Sequence, residues 1–523
     1  MTKGALALVL HAHLPYVRSS QPGSLEEDWF FQALTECYLP LLEVLEHASQ
    51  TPDCQAGITI GLSPTLLSLL HDDELKQRYP TWLDARLPLL LQADASLQKA
   101  AHHLAETIER HRQSWKDCNG DLIQRFAQLQ RVGVVDLLTC GATHGYLPLL
   151  RQNPEAIRGQ LRTAVREHQR LIGERPLGIW LPECAYYEGL DQWMRDAGLR
   201  YAVLDAHGLL HAHPRPRYGV YAPICSRNGV AFFGRDSEAT LPVWSAKDGY
   251  PGDPVYREFH RDLGWDLPLE SLHPLGLDQP RPLGLKLHRV TDHTLPLDRK
   301  QPYDPEIAAQ RVNQHAGHYL EGRRQQLAKL AGTMDIGPLL VAPFDAELFG
   351  HWWFEGPAFL AELFRQGPQK GVAFTRLRDV LTSAGQLQLC NPCPSSWGQG
   401  GYHNYWLNET NAWVVSEWGK AGEEMVRRCS RGVGKERDLV LLKQAARELL
   451  LSQSSDWSFI LRAGTTTGLA KERIERHLAR FWLLMQAIEG SESVSDRWLS
   501  DVEHDDRLFP LIQPLDWSRI ASR

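Results

Sequence analysis

The feature that most restricts the fold is a rhythm. Short apolar runs recur at ALALVL (5–10), AGITIGL (56–62), VVDLLT (134–139), LGIWL (177–181), YAVLD (201–205) and PLLVAPF (338–344). Between several of them lie segments of helical period, such as 154–172 and 189–198. Runs this short, apolar on both faces and spaced by helices, are strands of a parallel sheet wrapped in helices. Polar residues fall just after the runs: His11 and His13, Thr143 and His144, Glu183, Asp345. That is the placement of a (β/α) barrel, whose chemistry sits at the C-terminal ends of its strands. The segment 80–132 is charged, helical and strandless, and reads as a helical insertion. Residues 206–300 hold Pro, Gly and Tyr with little period and are expected to be long loops over the barrel mouth. From about 420 onward, DLVLLKQAARELLL (438–451) and RIERHLARFWLLMQAI (473–488) carry i, i+3, i+4 apolar spacing. The expected division is a barrel over 1–79 and 133–415, an insertion over 80–132 and a C-terminal helical domain over 416–523.

Composition excludes several classes. A net charge of −7 argues against a nucleic-acid partner. The N-terminal run ends in His-Ala-His rather than a small-residue cleavage site, and no run is long enough to span a bilayer. Nine scattered cysteines read as reduced thiols of a cytoplasmic protein. CNPC (Cys390, Cys393) is a single CxxC with no second pair at zinc spacing. The count of 17 Trp exceeds what a core requires, and flat aromatic faces suit sugar rings.

Glu183 and Asp345 each follow a strand. Two carboxylates at one mouth can divide the work of glycosidic chemistry, one attacking the anomeric carbon and the other protonating the leaving oxygen. The plainer reading of each is a strand-end cap on the next helix. His11 and His13 are two apart on a strand, so their side chains share a face. They could hold a metal, with His144 or Asp345 as third ligand, as in a metal-dependent hydrolase or deacetylase. They could equally clamp sugar hydroxyls. The loop CPSSWGQGGYHNYWLNETNAW (393–413) sets Trp397, Trp406 and Trp413 among amides, which suits a glucan groove as well as a packed aromatic loop. A non-catalytic glucan-binding protein is the remaining alternative.

Five motifs in order, HAHLP (11–15), GATHGY (141–146), WLPECAY (180–186), APFDAELFGHWW (342–353) and the 393–413 loop, resemble glycoside hydrolase family 57 over nearly the whole chain. RPRYGVYAPI (215–224), GYPGDPVYREF (249–259) and LLLSQSSDWSF (449–459) resemble its α-glucan branching subgroup. The resemblance implies a (β/α)7 barrel, an incomplete relative of the eight-stranded form, and a retaining mechanism with no cofactor and no metal. Glu183 would be the nucleophile and Asp345 the general acid/base, with the roughly 5–5.5 Å separation that retention requires. His11, His13 and His144 would line the donor-sugar subsite. Trp265, Trp352, Trp397, Trp406 and Trp413 would contact glucose rings, and Tyr218 would sit on a lid over the cleft. His288 stands where some branching members carry a Trp, with Trp265 as the alternative ring. The expected reaction is hexosyl transfer, cleaving α-1,4 links and forming α-1,6 branches in amylose- or glycogen-like polymer. Disproportionation by a 4-α-glucanotransferase and hydrolysis by an α-amylase share every step up to the covalent intermediate. The expected partner is α-glucan alone, with no nucleic acid or membrane, and the chain is expected to be a monomer or weak homo-oligomer.

Overall fold

The computed structural model describes residues 4–19, 22–245, 247–432 and 434–519. Among the described residues there are ten strands: β1 (Ala5–Ala12), β2 (Ile58–Leu62), β3 (Val135–Leu138), β4 (Gly178–Ile179), β5 (Tyr201–Leu204), β6 (Ile224–Cys225), β7 (Ala231–Gly234), β8 (Leu339–Asp345), β9 (Ala373–Phe374) and β10 (Gln388–Leu389). Seven of them close a parallel barrel. β1 pairs with β2 and β8, β2 with β3, β4 with β5, and β5 with β7. A parallel bridge from Thr139 to Ile179 joins β3 to β4. The ring closes where the Asp236 amide donates to the Val341 carbonyl at 2.8 Å. β1, β2 and β3 are buried along nearly their whole length, as two-sided cover demands.

The six apolar runs are all strands, and helices Pro154–Ile172 and Leu190–Asp196 stand where the period placed them. Pro154 opens the first of these and the left-handed Gly173 ends it. The seventh barrel strand, β7, lies inside the stretch expected to be loops. Its four residues, AFFG, are too few to declare a period. The insertion between β2 and β3 comprises Pro64–His71, Asp73–Leu90, Gln98–Asp117 and Leu122–Arg131. Position 80 therefore falls inside a helix: Pro80 is carried in its interior, and Asp72 caps its start by accepting from the Leu75 amide. The last segment folds as five helices, Ala412–Ser430, Glu436–Ser452, Ser455–Ala463, Thr467–Glu489 and Asp496–Asp505.

One irregularity bears on the site. A π-helical turn, Leu34–Tyr38, interrupts the helices that follow β1. Such turns often mark functional regions. Here the Cys37 thiol reaches the Ala346 carbonyl at 3.0 Å, and the Tyr38 hydroxyl donates to Glu347 Oε1 at 2.5 Å. The turn thus braces the segment just beyond Asp345.

Candidate active site

β1 and β8 run in register, so His11 stands beside Asp345 at the C-terminal rim. Glu183 leaves β4 through a 3₁₀ turn and adopts a left-handed backbone, φ 60 and ψ 25, followed by Cys184 at φ 49. His144 has φ 58. A non-glycine residue in this region costs on the order of 1–3 kcal/mol and survives only where its surroundings hold it. Two of the residues singled out from sequence therefore sit on strained backbone at one mouth.

What holds Glu183 is visible. Trp397 Nε1 donates to its Oε2 at 2.9 Å, and Ser455 Oγ donates to its Oε1 at 3.1 Å. The Trp397 amide also donates to the Glu183 carbonyl at 3.0 Å. Burial, with the nearby charges of Asp345 and Asp456, pushes the Glu183 carboxyl up to about 7, against the pull of the two donors. Asp345 is also raised well above the usual carboxylate range, by burial first and then by Glu347 and Asp456. No hydrogen-bond donor reaches its carboxyl among the described residues. Both carboxyls face like charge, but they differ in their donors: Glu183 has two that stabilise its anion, and Asp345 has none among the described residues. Glu183 is the one arranged to ionise first.

The histidines form a stack. His11 lies on Trp180, ring centroids 4.7 Å apart and nearly parallel, and His13 lies on His144 at 3.9 Å with planes 14° apart. His11 Nε2 meets His144 Nε2 at 3.0 Å. His144 Nδ1 meets Ser455 Oγ at 2.7 Å, and His13 contacts Ser63 Oγ at 2.8 Å and Asp456 Oδ2 at 3.0 Å. Burial holds His11 and His144 below the ordinary imidazole range. His13, His144 and Asp456 offer ligand atoms within 4.8 Å of one another, so a metal has a candidate donor set. The ring geometry does not suit one. Stacked imidazoles direct their lone pairs in parallel planes, whereas a tetrahedral ion needs them to converge at about 2.0–2.1 Å. Two of the ring nitrogens already meet hydroxyls, His144 Nδ1 that of Ser455 and His13 Nδ1 that of Ser63.

Ser455 and Asp456 come from the C-terminal helices, and sequence reasoning did not name them. They lie in SQSSDW, which appeared only as part of the branching-type resemblance. The start of helix Ser455–Ala463 is tied to the His144 loop: Gly145 bridges Ser454, the Ser455 amide donates to the His144 carbonyl at 3.1 Å, and Thr143 Oγ1 donates to the Leu450 carbonyl. Trp180 and Trp244 were missed too. Trp180 carries His11, and Trp244 lies 5.8 Å from Trp397.

The other aromatic expectations divide. Trp265, Trp352 and Trp413 expose their rings, as contact with a sugar needs. Trp406 does not: it is 2% exposed and stacked on Tyr146 at 4.7 Å, so it packs the loop and does not present a face. His288 is half-buried and pairs by a backbone bridge with Pro302. Tyr218 is at the wrong end. Its hydroxyl bonds Asp335, and the Tyr221 carbonyl three residues on accepts from the Leu339 amide, where β8 begins. Asp345, at the other end of β8, is roughly 20 Å away at 3.3 Å per residue. The Pro- and Gly-rich stretch is a loop, as composition suggested, but composition does not fix which way a loop runs. This one descends along the barrel, held by Asn391 to His213 and by Gln388 to Arg217.

A closed parallel barrel with two half-buried carboxyls and aromatics at its C-terminal mouth is an arrangement used by carbohydrate-active enzymes that work on glycosidic bonds. The sequence profile of glycosyl hydrolase family 57 matches residues 7–265, and that of the C-terminal region of 1,4-alpha-glucan branching enzymes matches 417–517. A 1,4-alpha-glucan branching enzyme of Thermococcus kodakarensis is 31% identical, over 97% of this chain and 77% of its own. A GH57-type branching enzyme from Pyrococcus horikoshii superposes with a TM-score of 0.89 at 31% identity, covering 99% of this chain and 97% of that one. The alpha-amylase AmyC from Thermotoga maritima superposes with a TM-score of 0.92 at 33% identity, over 100% of both. The chain belongs to glycosyl hydrolase family 57.

Proposed function

We propose that this protein is a 1,4-alpha-glucan branching enzyme working by double displacement. Glu183 attacks the anomeric carbon of an α-1,4 link, and Asp345 gives its proton to the departing oxygen. The resulting glucosyl ester on Glu183 is then opened by a glucose 6-hydroxyl of another glucan stretch, whose proton returns to Asp345, with net retention. The observation that carries the assignment of roles is the contrast between the two carboxyls. The nucleophile must be ionised, and Glu183 alone receives donors from Trp397 and Ser455. The acid must hold a proton, and Asp345 is buried against Glu347 and Asp456. The match of 417–517 to the branching-type C-terminal region supports the choice of acceptor. The histidine stack, anchored through Asp456 and Ser455, presents a rigid polar wall to the donor sugar, and the exposed rings of Trp265, Trp352 and Trp413 are available to stack on glucose units of the chain.

In this reading the barrel carries the chemistry, and the C-terminal helices complete the site through Ser455 and Asp456. All nine cysteines are free, which suits the cytoplasm, and no helix among the described residues is long and apolar enough to cross a membrane. The roles are tested by azide. In Asp345→Ala the glucosyl ester should form from an activated α-glucosyl donor and be intercepted, giving α-glucosyl azide. Absence of that product, or recovery of the β-anomer, would remove Asp345 from the acid/base role. Activity of the wild-type protein should be unchanged by chelator. Loss of activity in chelator with recovery on adding zinc would revive the metallohydrolase reading.

A further inference from the structure

A second cavity lies away from the carboxyls. It holds about 420 Å³ and sits under the helical insertion, between helix Leu39–Gln50, helix Gln98–Asp117, the 283–285 loop and the start of helix Gly356–Lys370. That volume is in the range of small-molecule sites, roughly 300–1,000 Å³. Its walls are mostly apolar, with Val44, Leu104, Ile108, Val312 and the Phe354 ring. Its polar atoms are the unusual part. Arg257 is 6% exposed and lies flat on Phe354, its guanidinium carbon 3.7 Å from the ring centre. Nη2 donates to Glu36 at 2.8 Å, but Nη1 is buried without a partner. Buried donors left unmade cost free energy that a fitting ligand recovers.

The charges point one way. Arg257 faces one buried carboxylate of the cavity wall, Glu36, which Lys286 and His351 hold down to about 2 against the effect of burial. Glu355 is pushed up by burial, toward its neutral form. Burial brings His111 down to about 3, so it adds no charge to the cavity. Glu43, at the far side, is matched by Arg110 at 3.4 Å. Arg257 Nη1 is left as a buried cationic donor without a match beside apolar walls.

We propose that this cavity is a binding site for a small organic anion, an apolar ring body carrying one carboxylate or sulfonate that accepts from Arg257 Nη1.

The test uses the full-length protein and two dyes of the same shape. Anilinonaphthalene-8-sulfonate carries the anion, and N-phenyl-1-naphthylamine lacks it. Fluorescence titration and calorimetry should give one saturable site per chain for the sulfonate. Its affinity should exceed that of the neutral dye by roughly tenfold or more, the worth of a buried charge-assisted hydrogen bond. Ala309→Trp, at the exposed margin of the cavity, should abolish binding of both dyes. Arg257→Met combined with Glu36→Gln leaves neither charge stranded and should erase the preference for the sulfonate. Equal affinity of the two dyes for the wild type, binding unaltered in Ala309→Trp, or uptake that does not saturate at one per chain would each overturn the proposal.

Discussion

Glu183 answers for most of the chemistry, and its environment sets three outcomes. Glu183→Gln and Asp345→Asn should each lower turnover by about 10³-fold or more while the fold is kept, because both groups serve one covalent cycle. Steady-state kinetics and a melting curve on the same preparation check this. The Gln variant should also melt higher than the wild type above neutral pH. A carboxyl whose folded-state value is raised from 4.5 to about 7 opposes folding once it ionises. The advantage should therefore grow between about pH 4.5 and 7 and vanish below the unfolded value. A melting-temperature difference that is flat with pH would contradict it. Ser455→Ala removes a donor from the Glu183 anion, so that anion becomes harder to form. The acid limb of the kcat/KM profile should move to higher pH, and a limb that stays in place would leave Ser455 without influence on Glu183. At this scale the sequence disclosed the residues whose chemistry demanded them. Glu183, Asp345 and His144 stood out because a charge or imidazole after an apolar run is costly without a use. Trp397 was legible as an aromatic in the right loop, though not as a hydrogen-bond donor. Trp406 was misread because a Trp that packs a loop and a Trp that packs a sugar have the same spelling. Asp456 and Ser455 were hidden by distance: nothing local to SQSSDW says that it reaches a strand end more than 270 residues away.

The elements explain why those residues meet. β1 and β8 pair residue for residue from Ala5 with Leu339 to His11 with Asp345, so a slip of one position would turn Asp345 off the mouth. The segment beyond Asp345 is held by the π-turn, and Gly350 makes that contact possible. It has φ 119, and a Cβ there would lie 1.7 Å from the Glu36 carbonyl oxygen. Gly350→Ala should cost about 3 kcal/mol or more, combining a backbone conformation reserved for glycine with a backbone clash. Chemical denaturation of the variant measures it, and a loss below about 1 kcal/mol would mean that the turn and the segment are not rigidly joined. The long apolar strands and helices were legible because burial on both faces leaves an unbroken run and a single buried face leaves a 3.6-residue period. β7 was not, since four residues carry too little pattern, and its place was fixed by closure of the ring instead. The course of the Tyr218 loop was not legible either. Its direction comes from contacts with residues 335–339 and 388–391, which are distant in sequence.

For the whole molecule the question is which acceptor takes the glucosyl group. The barrel and its carboxyls serve branching and hydrolysis alike, and relatives named for each superpose on this chain almost equally well. With Tyr218 at the opposite end of the barrel, exclusion of water from the intermediate falls to groups at the C-terminal mouth, where Trp397 bonds Glu183 and packs against Trp180 and Trp244. The C-terminal helices bear on this balance because they supply two of the contacts to the site. Proton NMR of amylose incubated with the enzyme decides the matter, by counting α-1,6 anomeric protons against newly formed reducing ends. Branch formation at Glu183 and Asp345 requires α-1,6 signals that outnumber new reducing ends, and neither product from Glu183→Gln. Reducing ends accumulating without α-1,6 signals would show that water is the acceptor and contradict branching.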